Sequence, residues 1–174
     1  FDLVFVGGDL FQNLVSLEWF LSTIWNQIKS NGYTFAIAGG VSNRINTKGH
    51  GAGLVLLGEF DEVQKVYLKS RLVIAPLMVG SGVKVKVVEA LMNSKVVLTN
   101  NLGIQGIPIE NGKEYIHCEE PQQWIDEITS TIVDEERMKI VGRNAWRWAS
   151  KNATVENIYK KFELEIQSRS KIYC

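Results

Sequence analysis

The feature that most constrains this chain is a set of short apolar runs that do not alternate with polar residues. Leu3–Val6, Phe35–Ala38, Leu54–Leu57, Leu72–Ala75 and Val96–Thr99 are apolar at nearly every position, and Tyr115–His117 is a weaker sixth. A strand with one wet face alternates, whereas a strand buried on both faces does not. Such runs predict a parallel sheet covered by helices on both sides. The intervening segments agree. Leu14, Leu17, Leu21, Ile24 and Ile28 recur every three or four residues, which is helical spacing. Val63, Val66 and Tyr67 form a shorter stripe. Three stripes close the chain: Trp124, Ile125, Ile128 and Ile132 behind Pro121; Met138, Val141, Ala145 and Trp148; and Val155, Ile158, Phe162 and Ile166 behind a cap at Thr154. The predicted fold class is α/β, a Rossmann-like doubly wound parallel sheet of about six strands with helices on both faces.

One segment carries a conflict. Val83-Lys84-Val85-Lys86-Val87 alternates with period two, and its β-branched residues favour a strand. Yet two buried parallel strands flank it, and joining them requires a crossover, usually helical. Val83, Val87, Ala90 and Leu91 supply the apolar stripe. The topological argument predicts a helix from near Gly82 to near Asn93.

Size and charge bound the function. Residues 1–174 are read as one domain, without internal repeats. Nineteen basic against nineteen acidic residues leave no net charge, which argues against a nucleic-acid partner. Cys118 and Cys174 cannot form a disulfide framework, which fits a reducing compartment. The longest apolar stretches are interrupted by glycine and proline, so no membrane span is expected. The chain opens on Phe1 and runs directly into a strand, the expectation for a piece of a longer protein. That opening run is not expected to be a signal peptide, since no basic residue precedes it and the first is Lys29. The Asn152-Ala153-Thr154 sequon is then fortuitous.

Glycines gather where the apolar runs end: Gly7-Gly8, Gly39-Gly40, Gly58 and Gly80-Ser81-Gly82. In open parallel sheets, ligands bind beyond the carboxyl ends of the strands. The last group precedes a helix and is followed by Lys84, Lys86 and Glu89. Glycines admit backbone N–H groups to a phosphate, and a helix N-terminus carries about half a positive charge. Lysines add point charges. A carboxylate accepts hydrogen bonds from a ribose diol. The segment can therefore hold a nucleoside diphosphate; it can equally be an unliganded turn with a solvated Lys86–Glu89 pair. It matches neither the Walker loop nor G-x-G-x-x-G.

The run Gly80-Ser81-Gly82-Val83-Lys84-Val85-Lys86-Val87-Val88-Glu89-Ala90-Leu91 resembles the signature of group 1 glycosyltransferases of the GT-B fold. Ser94-Lys95-Val96-Val97 and Gly103-Ile104-Gln105-Gly106 follow at the family's spacing, and Phe5-Val6-Gly7-Gly8, Ile37-Ala38-Gly39-Gly40 and Gly58-Glu59-Phe60-Asp61 are similar to its strand-ending turns. The resemblance implies one half of a GT-B enzyme, the C-terminal domain that binds the nucleotide-sugar donor. It implies transfer of a sugar from a nucleoside diphosphate to a glycan or lipid-linked acceptor, with retention of configuration. Its implied site is Glu89 on the ribose; Gly80, Ser81, Gly82, Val83, Lys84 and Lys86 around the diphosphate, with the two lysines stabilising the leaving group; Gly8 near the phosphate or sugar; and Gly58, Phe60 and Asp61 bordering the base. It implies no metal and no cofactor beyond the nucleotide sugar as co-substrate. The implied partners are that nucleotide sugar, an N-terminal acceptor domain and the acceptor, in the cytoplasm or at the inner membrane face.

Three positions depart from the family pattern. Ser81 stands where a first glutamate is usual, Gln105 where the turn usually has glutamate, and residues 9–28 contain no basic residue. Lys84 and Lys86 would then carry more of the phosphate charge. The rival readings are a GT-B nucleotide-sugar epimerase and a non-catalytic nucleotide-binding or docking domain. His50 and His117 lack a visible nucleophile or base partner and read as structural. The tryptophans read as packing residues, and Asp134-Glu135-Glu136 as the acidic start of a helix.

Overall fold

The computed structural model describes residues 1–47, 49–80 and 84–153. Six parallel strands form one sheet: β1 (Leu3–Val6), β2 (Phe35–Ala38), β3 (Leu54–Gly58), β4 (Leu72–Ala75), β5 (Val96–Thr99) and β6 (Ile116–His117). Their order is β3-β2-β1-β4-β5-β6, with β1 between β2 and β4. This is the doubly wound order, in which the chain leaves β1 toward one edge and later returns to build the other. The expected fold class holds, and the runs read from sequence are the strands to within a residue.

The unbroken apolar runs are explained by what covers them. All four residues of β1, β2, β4 and β5 are buried. Successive side chains point to opposite faces. Leu3, Phe5, Phe35, Ile37, Leu72, Ile74 and Leu98 join a cluster with α1 (Phe11–Phe20) and, later in the chain, α5 (Pro121–Val133). Val4, Val6, Ala36, Ala38, Val73, Ala75 and Val97 join another with α3 (Val63–Leu68), α4 (Val85–Met92) and α6 (Glu135–Asn152). The edge strand β3 is only partly buried.

The first helical stripe is more irregular than its spacing suggests. After α1 the backbone widens into a π-helical turn (Leu21–Trp25), then α2 (Asn26–Ile28) and a 3-10 turn (Lys29–Asn31). The wide turn lets Leu21, Ile24 and Trp25 all point inward. Gly32 ends the segment in the left-handed conformation, φ 80°. Trp25 is fully buried, and its indole N–H donates to the His50 carbonyl at 3.0 Å.

The contested segment is helical, with a corrected start. Lys84 is extended and caps a helix that begins at Val85, three residues later than the sequence reading placed it, and ends at Met92. Val87, Ala90 and Leu91 are buried, while Val85 is 67% exposed, so the period-two pattern is not a strand. Downstream, Pro121 opens α5 behind a Glu120–Gln123 capping box. The Asp134 carboxylate accepts from the Arg137 N–H at 2.8 Å and caps α6. The stripe expected at Val155, Ile158, Phe162 and Ile166, its Thr154 cap and Cys174 lie outside the described residues.

Candidate functional site

The chain leaves β1 toward one face of the sheet and β4 toward the other. Their carboxyl ends therefore part, and a crevice opens between them. In this protein it is a cleft of about 410 Å³ lined by the β1 turn (Val6, Gly7, Gly8), the β2 turn (Gly39, Gly40), Asn13 of α1, Glu59 and Phe60 after β3, Val63, and Val85, Lys86 and Glu89 of α4.

The glycines divide into two roles. Gly39 holds φ 93°, and a Cβ there would sit 2.3 Å from the Gly7 carbonyl oxygen. A Cβ on Gly40 would meet the Asp9 backbone at 3.0 Å, and one on Gly7 would meet the Asn13 amide at 2.9 Å. These three glycines let the two turns and α1 pack closely. A Cβ on Gly8 would meet nothing within 4 Å, so its bareness leaves room in the cleft.

Lys86 spans the crevice. It sits one residue into α4, on the small-residue side of the sheet, and reaches over the end of β1. Its Nζ donates to Asn13 Oδ1 and lies 4.3 Å from the centre of the Phe5 ring. Asn13 is itself buried, and its amide donates to the Gly8 carbonyl at 2.9 Å. One polar relay thus joins α4, α1 and the open glycine. Burial pulls the Lys86 ammonium down to about 8. A buried cation with a neutral partner is electrostatically suited to an anion. One turn on, burial raises the Glu89 carboxyl above its ordinary value, and the buried Tyr67 hydroxyl donates to the Lys86 carbonyl at 3.4 Å.

The turn after β4 is clamped from two sides. Ser16 Oγ of α1 accepts from the Met78 N–H at 3.1 Å, and the Asn100 amide donates to the Leu77 carbonyl at 2.7 Å. Gly80 follows with φ 124°, and Lys84 Nζ lies 3.8 Å from where its Cβ would be.

The structure brings Gly8, Phe60, Lys86 and Glu89 of the expected site residues into one cleft. Gly80 and Lys84 neighbour each other at the foot of α4 but are not among its lining. Gly58 ends β3, where its carbonyl accepts from the Gly39 N–H at 2.7 Å. Asp61 lines a separate hollow of about 190 Å³ with Phe1 and Lys65. Ser81, Gly82 and Val83 lie outside the described residues. Asn13, Val63 and Val85 also line the cleft without a ligand role read from sequence, and Glu59 does so from the Gly58–Asp61 turn expected to border the base. Asn13 had a usable signal: a polar residue four positions before Leu17, on the helix stripe that faces the sheet. Among the described residues, no three His, Cys, Asp or Glu side chains gather closely enough for a metal ion.

The strand order and the crevice at its reversal define one Rossmann-like half of a GT-B architecture. Glycosyl transferases group 1 match over residues 1–134, and the chain belongs to that family. An uncharacterized 44.6 kDa protein in the cps region of Klebsiella pneumoniae is 25% identical over 91% of this chain and 44% of its own. The chain thus spans under half the length of that relative. S. aureus TarM superposes with TM-score 0.77 at 17% identity, over 92% of this chain and 34% of its own. Anabaena HepE in complex with UDP gives 0.72 at 16%, over 95% and 48%. The C-terminal domain of a group 1 glycosyl transferase, LpcC, from Francisella tularensis gives 0.68 at 14%, over 88% and 87%.

Proposed function

We propose that this chain is the donor-binding, C-terminal domain of a group 1 glycosyltransferase, and that the whole enzyme moves a sugar from a nucleoside diphosphate to an acceptor. The carrying observation is the cleft at the β1/β4 switch point, where Lys86, Glu89 and the open Gly8 meet. Lys86 and backbone N–H groups at the foot of α4 stabilise the negative charge that grows on the leaving diphosphate. Lys84 joins them. Glu89 accepts from the ribose hydroxyls, and the Gly58–Asp61 turn borders the base. Coverage of 87% of a domain solved alone supports the one-domain reading. The UDP and UDP-glucose bound by HepE make uridine nucleotides the first donors to try. The cps location of the Klebsiella relative favours a glycan or lipid-linked acceptor. The family default is retention, with no cofactor beyond the donor. The acceptor site belongs to a further N-terminal domain, so this chain binds nucleotide and transfers little or no sugar alone. We place the enzyme in the cytoplasm or, peripherally, at the inner membrane face.

Calorimetric titration with UDP, GDP and ADP tests this. One of the three binds, and Glu89→Ala weakens it. Failure of all three, or binding indifferent to Glu89→Ala, refutes the reading.

A further inference from the structure

The charge that cancels over the whole sequence does not cancel on α6. From Lys139 to Lys151 the helix carries Lys139, Arg143, Arg147 and Lys151 and no acidic residue. Val141, Gly142, Ala145 and Ala149 face the sheet. The four cations fall on the opposite stripe, each four residues from the next. Between them stand two large apolar side chains in water: Trp146 is 49% exposed and Ile140 is 47% exposed. Among the described residues no carboxylate pairs with Arg143 or Arg147. Beside the stripe the charge is mixed: Lys139 borders a hollow of about 340 Å³ with Arg71, Lys95 and Glu135, and Arg147 borders one of about 280 Å³ with Lys113 and Glu114, where Arg71 pairs with Asp2 and Lys113 with Glu110 and Glu114. Lys139 pairs with Glu135 at 3.8 Å, and both are exposed.

A folded surface that keeps an indole and an isoleucine among cations fits a partner that is anionic and apolar at once. We infer that the outer face of α6 docks on an anionic lipid surface, with its cations at the headgroups and Trp146 and Ile140 at the acyl boundary. Tryptophan and basic residues are the side chains that favour this interface. A soluble polyanion would meet the cations but leave the Ile140 side chain in water. No described helix is long and apolar enough to cross a membrane, so this is attachment by one helix face. It deepens the inner-face placement above and does not depend on nucleotide binding.

The test is co-sedimentation of the 174-residue chain with vesicles of phosphatidylcholine alone and of phosphatidylcholine with an equal part of phosphatidylglycerol. The chain partitions to the anionic vesicles at low salt and is released by high salt. Each basic residue near such a surface contributes about a fivefold attraction, so Arg143→Gln with Arg147→Gln lowers partition about 30-fold. Trp146→Ser lowers it too, and tryptophan emission shifts to the blue on vesicle addition only while Trp146 is present. These exposed substitutions leave the unfolding midpoint in place. Equal partition of the native chain and the double variant, no preference for the anionic vesicles, or full displacement by heparin with no emission shift overturns the proposal. Nucleotide titration of the same variants separates the two readings, since vesicle binding without nucleotide binding defeats the donor site alone.

Discussion

The two faces of the sheet are built from different materials. One is aromatic. Phe20 meets Phe35 edge-on at 5.2 Å and Trp124 at 5.9 Å, and Trp25 packs on Phe35 at 5.5 Å. The other is small: Ala36, Ala38, Ala75, Ala90, Ala145 and Ala149 let α4 and α6 close on the strands. Large rings bury more area per residue and hold the aromatic layer firmly. Small residues place backbones rather than filling space. The ligand-facing helix, α4, lies on the small side, and the relay through Lys86 and Asn13 ties it to the aromatic side. Stability thus concentrates on one face and the charged chemistry on the helix of the other.

The largest expected effect breaks the aromatic layer. Phe20→Ala removes a fully buried ring with two edge-on partners and should cost about 3–5 kcal/mol in denaturant unfolding. A loss under about 1 kcal/mol, the scale of an ordinary surface change, would dissolve the contrast between the faces.

The second separates stability from chemistry. Lys86→Met keeps the length of the side chain and discards the buried charge. A charge-assisted hydrogen bond contributes about 1.5–3 kcal/mol, so nucleotide affinity should fall about 10- to 150-fold. Stability should hold or rise at neutral pH, because the native state no longer carries a desolvated ammonium. Parallel losses of both would place Lys86 in the scaffold instead.

The third probes the small face. A Cβ on Gly142 would sit 2.3 Å from the Ser94 carbonyl oxygen. Alanine is the better helix former, yet Gly142→Ala should destabilise by about 1–3 kcal/mol, the range of overpacking. A gain in melting temperature would show that α6 can drift off the sheet without penalty.

The fold was legible because burial on both faces writes itself into each strand as an unbroken run. Topology located α4, because the crossover between two buried parallel strands overruled the period-two pattern at Val83–Val87. The helix start was less legible: two lysines and three valines fit either conformation, and nothing in that pattern marks Lys84 as the extended residue before the helix. The site was half legible. Lys86 and Glu89 stand in a run with a recognisable spacing. Asn13 reaches Lys86 from 73 residues away in sequence, and only the meeting of α1 and α4 over the end of β1 makes it a neighbour. The π-helical turn leaves no mark in a three-four spacing either.

The smallest effect is a matter of protons. Lys86 titrates at about 8 in the native state, against 10.5 for an unburied lysine. Between these values the unfolded chain binds more protons, so Lys86 makes stability rise with pH across that window, and its penalty is fully present below 8. A bound diphosphate reverses the balance: its charge favours the ammonium and raises the Lys86 pKa. Near pH 8 nucleotide binding should therefore take up a fraction of a proton, and affinity should decline as the pH climbs past that point. Titration in two buffers of different ionisation enthalpy measures the uptake directly. Lys86→Arg, which stays charged throughout, should abolish the uptake and flatten the profile. Uptake that persists in Lys86→Arg would assign the proton to another group and remove Lys86 from contact with the phosphates.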